Sequence, residues 1–207
     1  MTRLLHIEAS PMGEYSFSSR VAAAFLAAYR QAHPQDTVEV LNIWQADLPV
    51  FDGDGVRARY KTGRGQPRDP AEEEAWRKVC GVVEHFKGFD KYLLSTPMWN
   101  FGLPWRLKQY VDLLAHPGLT FAYSPEQGYS GLVTGRKAAL ICARGGAYPV
   151  GTAGAAYDFQ KPYLETFLGF IGITAVTTIT VEPTMGPDAE QMLAERQDEA
   201  RMLAAGF

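Results

Sequence analysis

The sequence has few cysteines and no long hydrophobic run. Cys80 and Cys142 are the only two cysteines among 207 residues, and both lie within apolar patterns typical of buried side chains. Such a chain has no disulfide scaffold, so we expect a reducing, cytoplasmic setting. The apolar run at residues 4–7 is too short for a signal peptide or a membrane span, and it predicts a first strand instead.

An excess of positive charge is also missing. The formal net charge is −3, and no block of lysine and arginine is interleaved with aromatic residues. This composition disfavours nucleic acid and anionic membranes as partners. No repeat, low-complexity tract or linker divides the chain, and a hydrophobic content of 46% suffices for one core. We therefore expect a single domain over residues 1–207.

Motifs for catalysis by protein side chains are absent as well. No nucleophile elbow and no metal-ligand spacing surrounds any of the four histidines, which are His6, His33, His85 and His116. We therefore predict no metal site and expect these histidines to be structural or solvated. If the protein is an enzyme, a cofactor carries the chemistry, and the chain binds and orients it.

Apolar strand patterns alternate with helical periodicity along the whole chain. Strands are predicted at residues 4–7, 38–43, 92–96, 137–142 and 174–181, and helices at 21–32, 71–87, 105–115, 157–171 and 187–205. This alternation predicts an α/β fold with right-handed crossovers and helices on both faces of a parallel sheet. With five strands, the natural arrangement is the flavodoxin-like doubly wound sheet with strand order 2-1-3-4-5. Residues 44–70 and 116–135 are left as long irregular segments.

The turn after the third predicted strand is the most informative segment. It reads Pro97-Met98-Trp99-Asn100-Phe101, with a further proline at position 104. Ligands of open α/β sheets bind beyond the carboxyl ends of the strands, at strand-to-helix turns of this kind. Its aromatic face, amide side chain and backbone N–H groups are suited to a flat heteroaromatic ring. An ordinary buried aromatic turn is the alternative interpretation.

The turns after the first and fourth strands open at the same edge. The first contains Ser10 and the run Ser16-Phe17-Ser18 just before a helix, whose N-terminus can bind a phosphate. Plain N-capping by these serines is the alternative. No Gly-x-Gly-x-x-Gly or Gly-Lys-[Ser/Thr] motif is present, which favours a monophosphate over a dinucleotide or a nucleoside triphosphate.

The turn after the fourth strand reads Ala143-Arg144-Gly145-Gly146. Its paired glycines let the backbone approach a ligand closely. Arg144 either stabilises negative charge on a ligand or pairs with a carboxylate of the protein. Flavin mononucleotide (FMN) has the three features that the three turns would hold: one phosphate, a flat ring and polar groups along a ring edge.

The chain resembles the bacterial FMN-dependent NADH:quinone oxidoreductases, also called NADH-azoreductases, from the first strand nearly to the C-terminus. Matching segments lie at residues 15–18, 97–101, 107–113, 120–121, 131–135, 144–146, 162–164 and 166–173. The family often has Gln where Phe17 stands, Tyr at Trp99 and Ser at Ala143. Phe17 keeps its backbone N–H and Trp99 its aromatic face, whereas Ala143 lacks a hydroxyl for hydrogen bonding.

The resemblance implies roles for these residues. Ser10 and residues 16–18 would hold the FMN phosphate, residues 97–101 would wrap the isoalloxazine ring with Asn100 positioning it, and residues 143–146 would meet its pyrimidine side. It also implies ping-pong transfer of two electrons from NADH or NADPH to a quinone or an azo compound. Homodimers with shared active sites would place Tyr123 and Phe170 over the flavin of the neighbouring subunit.

Two other functions fit the same fold. One is a flavodoxin-type electron carrier, although such carriers are typically more acidic and shorter. The other is an NADPH-dependent reductase of nitro compounds, chromate or FMN. We also expect residues 52–68 to form a mobile flap near the mouth of the pocket. The cations of this flap either are solvated or contact the phosphates of the nicotinamide nucleotide. These cations are Arg57, Arg59, Lys61, Arg64 and Arg68.

Overall fold

A computed structural model describes residues 1–207 and contains a five-stranded parallel sheet. Its strands are β1 (Arg3–Glu8), β2 (Thr37–Asn42), β3 (Lys91–Pro97), β6 (Lys137–Ala143) and β7 (Ala175–Val181). They are hydrogen-bonded in the order β2-β1-β3-β6-β7. This is the predicted order 2-1-3-4-5 when only the strands of this sheet are counted.

Helices cover both faces of the sheet because successive side chains of each strand point to opposite faces. Helices α1 (Phe17–Ala32) and α6 (Ala189–Ala205) pack on the face that carries Leu4 and Leu93. Helices α3 (Pro70–Lys87), α4 (Trp105–Leu114) and α5 (Lys161–Ile171) pack on the face that carries Leu5. Burial on both faces explains why the central strands read as continuous apolar runs. None of the helices combines the length and the apolar character required to cross a membrane.

The prediction that residues 44–70 are irregular is wrong, because they contain helix α2 (Gly53–Gly63). Three glycines in this helix weaken its sequence signal. Tertiary contacts supply the stability: Ala58 is fully buried, and the carboxylate of Glu72 on α3 accepts hydrogen bonds from Lys61. Arg57 and Arg68 also pair with acidic residues of α3, at Glu72 and Glu73, so three of the five cations of the expected flap are bound to α3.

The prediction that residues 116–135 are irregular is also wrong. They contain an antiparallel hairpin of β4 (Phe121–Ser124) and β5 (Gly128–Gly131). The hairpin docks on the C-terminus of α5, where Val133 N–H donates to Ile171 O at 2.8 Å. Gly131 is required at this contact, because a Cβ there would lie 2.2 Å from the backbone nitrogen of Gly172. Strands of four residues, in a segment with four glycines, gave too weak a pattern to predict.

Candidate active site

Four strand-to-helix turns meet at the carboxyl edge of the sheet and enclose a cleft of about 270 Å³. Eight of the predicted site residues line this cleft; they are Ser10, Ser16, Phe17, Pro97, Met98, Trp99, Ala143 and Gly145. It is also lined by Pro11, Met12, Tyr15 and Thr184, which were not predicted. Ser18, Asn100, Phe101, Arg144 and Gly146 belong to the same turns without lining the cleft itself.

The N-terminus of α1 forms one end of the cleft. Ser16 is the N-cap, and its hydroxyl accepts a long hydrogen bond of 3.4 Å from Ser19 N–H and contacts Ser18 Oγ at 3.0 Å. The backbone N–H groups of Phe17 and Ser18 donate to no group of the chain. The first turn contains no acidic residue. Free amides and the positive end of a helix dipole therefore make this end suitable for an anion, while Ser16 also acts as the cap.

The turn after β3 is a tight hairpin with an unusual backbone. Trp99 and Gly102 exchange two backbone hydrogen bonds of 3.0 Å, and the two residues between them have positive φ angles, 48° for Asn100 and 70° for Phe101. Positive φ is rare for a bulky residue such as phenylalanine, and it costs on the order of 1–3 kcal/mol. Such strain is concentrated at functional sites. Here the turn leaves the N–H groups of Asn100 and Phe101 without partners in the chain.

Neighbouring elements hold this turn in place. Met98 N–H donates to Ala143 O at 2.7 Å, which ties the turn to the end of β6. Phe101 O accepts from Phe159 N–H at 3.0 Å, which ties it to the segment before α5. The free amides of Asn100 and Phe101 are thus presented by a backbone that is fixed on both sides, as preorganised donors must be.

Trp44 is a structural residue of the cleft that the sequence reasoning missed. Its indole Nε1–H donates to Ala9 O at 3.0 Å, one residue before Ser10. Its ring centroid lies 5.6 Å from that of Trp99 and 5.5 Å from that of Trp105. One side chain therefore joins the turn after β1 to the turn after β3. Trp44 directly follows the second predicted strand, so the rule that parallel strands end at one edge would have placed it near the cleft.

The guanidinium of Arg144 is buried among protein groups and does not line the cleft. Its side chain is 2% exposed and lies 2.9 Å from the carboxylate of Asp158 and 3.2 Å from that of Glu182. Its Nε–H also donates to Gln160 Oε1 at 3.1 Å. Of the two interpretations offered for Arg144, pairing with carboxylates is the one observed. The turn reaches the cleft through its backbone, where the N–H groups of Gly145 and Gly146 have no partners in the chain.

The segment after β7 also contributes to the site. Thr184 N–H donates to Arg144 O at 2.8 Å, and Met185 N–H donates to Gly145 O at 3.3 Å. These bonds bring Thr184 to the cleft wall and leave Met185 exposed above Gly145. The rule that parallel strands end at one edge would have identified this segment. The sequence analysis considered only the turns after the first, third and fourth strands.

The two residues predicted to contact substrate, Tyr123 and Phe170, lie outside the cleft. They belong to an aromatic cluster on the β4–β5 hairpin and α5, with ring centroids 4.6 Å apart for Phe121 and Phe170 and 5.5 Å apart for Tyr129 and Phe170. Phe121 is buried, whereas Tyr123 is 61% exposed and Tyr129 66% exposed. The cluster thus packs partly on its own domain and partly faces solvent.

Two titratable groups in the strands behind the site, His6 and Cys142, are neutral at pH 7. His6 is buried in β1, where its Nε2 lies 2.9 Å from Ser95 Oγ, and burial lowers its pKa to about 4, with a smaller effect of Arg30. Burial also raises the pKa of the Cys142 thiol to about 12. The protonated Cys142 thiol is not a nucleophile, and the polar groups of the cleft include its backbone amides and the hydroxyls of Ser10, Ser16 and Thr184.

A parallel sheet in this strand order, with a helix N-terminus, an aromatic turn and a glycine loop at one edge, defines a protein of the flavodoxin-like fold. Consistent with this, the family model described as "Flavodoxin-like fold" matches residues 2–203, and the chain belongs to that family.

Curated relatives narrow the classification. The chain is 53% identical over 210 residues to the "FMN-dependent NADH:quinone oxidoreductase" of Nitratidesulfovibrio vulgaris (strain DP4), with 100% of both chains covered. It is 46% identical to the protein of the same name from Desulfotalea psychrophila, with 99% of this chain and 97% of the relative covered. The fold matches that of an azoreductase from Bacillus anthracis str. Sterne with a TM-score of 0.93, 32% identity and full coverage of both chains.

An FMN-dependent NADH-azoreductase from Bacillus anthracis str. Ames Ancestor, solved in complex with FMN, is also similar. The TM-score is 0.91 at 27% identity, with 100% of this chain and 99% of the other covered.

Proposed function

We propose that this chain transfers two electrons from NADH or NADPH to quinones and azo compounds by a ping-pong mechanism, within a single FMN-binding domain spanning residues 1–207. The protein is an FMN-dependent oxidoreductase of the type named NADH:quinone oxidoreductase and azoreductase.

The hydrogen-bond donors around the cleft suit FMN, and the positions of the unpartnered backbone amides support this assignment. Besides the amides of Gly145 and Gly146, two pairs of unpartnered amides occur at separated places, at Phe17 and Ser18 on one side and at Asn100 and Phe101 on the other. The first pair begins a helix and suits a phosphate, whereas the second pair lies in an aromatic turn and suits a ring. FMN carries one phosphate and one planar ring, so its two ends match the two groups of donors.

Bound FMN supplies the redox chemistry, accepting two electrons from the nicotinamide and delivering them to the acceptor. The chain binds and orients it. Under this assignment, Ser10, Ser16 and the amides of Phe17 and Ser18 hold the phosphate, and Trp99 forms a wall for the ring. The amides of Asn100, Phe101, Gly145 and Gly146 donate towards the polar ring edge, where fixed dipoles stabilise negative charge.

We also propose that two copies of the chain form a homodimer with each active site completed by the partner. The support is the number of aromatic side chains left exposed on adjoining elements: Phe101, Trp105, Tyr123, Tyr129, Tyr157 and Phe159 are each at least 47% exposed. Exposed apolar groups on this scale mark interfaces. Tyr123 and Phe170, which lie outside the cleft of their own chain, would then cover the cleft of the other subunit.

The experiment is to purify the protein, add FMN and record the visible absorption spectrum, then add NADH under anaerobic conditions. We expect FMN to bind and to be bleached by NADH, followed by recovery of absorbance when a quinone or an azo dye is added after removal of excess nucleotide. Failure to bind FMN would refute the assignment of the cleft. Bleaching that requires a separate reductase would instead support the electron carrier.

A further inference from the structure

A buried cluster of three charged side chains lies between the turns of the proposed FMN site. It comprises the guanidinium of Arg144 and the carboxylates of Asp158 and Glu182, whose side chains are 2%, 10% and 17% exposed. Arg144 stands between Ala143 and Gly145, both of which line the cleft. The cluster is therefore directly connected to the backbone that would face the polar edge of the ring.

The cluster also reaches the other two turns. Gln160, which accepts from Arg144, donates through Nε2 to Thr96 O at 3.3 Å at the end of β3. Glu182 directly follows β7 and accepts from Tyr148 N–H at 3.1 Å in the loop after β6. Because the cluster holds the backbone of these turns in place, a change in its charge would act directly on the proposed FMN site.

The charges of the cluster do not balance. One guanidinium, which stays protonated, faces two carboxylates, so the cluster carries one excess negative charge when both carboxylates are ionised. A negative charge near the ring opposes the negative charge that accumulates there on reduction. The positive charge of Arg144 alone would instead favour reduction of the ring.

We propose that Asp158 and Glu182 are positioning residues that hold Arg144 and, through their excess charge, lower the reduction potential of the bound FMN. This inference rests on the proposed function, because it requires FMN in the cleft. It gives the buried carboxylates a role distinct from catalysis, since neither lines the cleft.

Glu182→Gln is the sharpest test. One carboxylate oxygen, Oε2, accepts from both Arg144 and Tyr148, so the single oxygen of glutamine can keep both hydrogen bonds while the charge is removed. Asp158→Asn is the second variant: its oxygen can keep the bonds from the N–H groups of Gln160 and Lys161, whereas its NH2 replaces Oδ2 beside Arg144, so this variant removes the pairing with Arg144 together with the charge. Asp198→Asn on α6 is the control, since it removes a charge from a side chain that is 71% exposed.

The measurement is the two-electron midpoint potential of bound FMN, by spectroelectrochemistry, together with the Kd of FMN. We expect both test variants to bind reduced FMN about tenfold more favourably relative to oxidised FMN, which for a two-electron couple corresponds to a potential about 30 mV more positive. The control variant, Asp198→Asn, should leave the potential unchanged.

An unchanged or more negative potential in both test variants would refute the inference while leaving the proposed function intact. If the two carboxylates had only a structural role, the variants would change the Kd of FMN and the melting temperature, but they would not both shift the potential to more positive values. Failure of the wild-type protein to bind FMN would refute the proposed function, and this inference with it.

Discussion

Replacing Ser16 by aspartate separates the two roles of this residue, helix capping and anion binding. Aspartate caps helices about as well as serine, so the apoprotein should keep its stability. A carboxylate at position 16 would, however, stand where the phosphate binds. Two unit charges about 4 Å apart repel by about 4 kcal/mol at an effective dielectric constant of about 20, which corresponds to roughly a thousandfold loss of affinity.

The assay compares FMN with riboflavin, which has the same ring and no phosphate. We expect Ser16→Asp to raise the Kd of FMN by about three orders of magnitude and to change the Kd of riboflavin only a few-fold. Thr134→Asp is the matched control, because it adds the same charge in an exposed turn before β6, at the opposite edge of the sheet. Equal weakening of both flavins, or no weakening of FMN, would place the phosphate elsewhere.

Three further outcomes are expected. Because burial lowers the pKa of His6 to about 4, the unfolded chain takes up a proton at this residue below pH 6.5 that the native chain does not. The contribution of His6 to the free energy of unfolding should therefore fall by about 3 kcal/mol between pH 6.5 and pH 4, and urea titrations of His6→Gln should lack that part of the loss. Gly131→Ala should destabilise the protein by about 3 kcal/mol, because its Cβ would collide with Gly172. Gly81→Ala on α3, which has open space around it, should instead stabilise the protein by about 1 kcal/mol. Similar effects of the two substitutions on thermal unfolding would contradict the close contact. Phe170→Ala should weaken the proposed dimer and slow turnover of the acceptor without loss of FMN, and light scattering that finds a fully active wild-type monomer would contradict this arrangement.

Sequence patterns predicted the sheet, its strand order and three of the four turns of the cleft, because buried parallel strands are long apolar runs and turn residues follow them directly. Helix α2 was not predictable in the same way. Its glycines weaken local propensity, and its stability comes from Glu72, which lies on another helix. The hairpin β4–β5 depends likewise on docking against Gly172.

The same distinction holds within the site. Ser16 and Trp99 were located in the turns that follow two strands. Trp44 also follows a strand, but its role depends on contacts with Ala9 and Trp99, which are far along the chain. The burial of Arg144 was also beyond prediction, since its partners Asp158 and Glu182 are brought to it only by the fold. Chain order shows where a turn will be, but it does not show which side chains the turn will bury.

The position of Trp44 has a practical consequence. Its indole lies against Trp99, which lines the cleft, and against the exposed Trp105, so three of the four tryptophans of the chain are grouped at the proposed cofactor site. Indole emission overlaps the absorption of an oxidised flavin, and energy transfer over such short distances is efficient. The intrinsic fluorescence of the unlabelled protein should therefore decrease as FMN binds, and the protein should report its own cofactor occupancy.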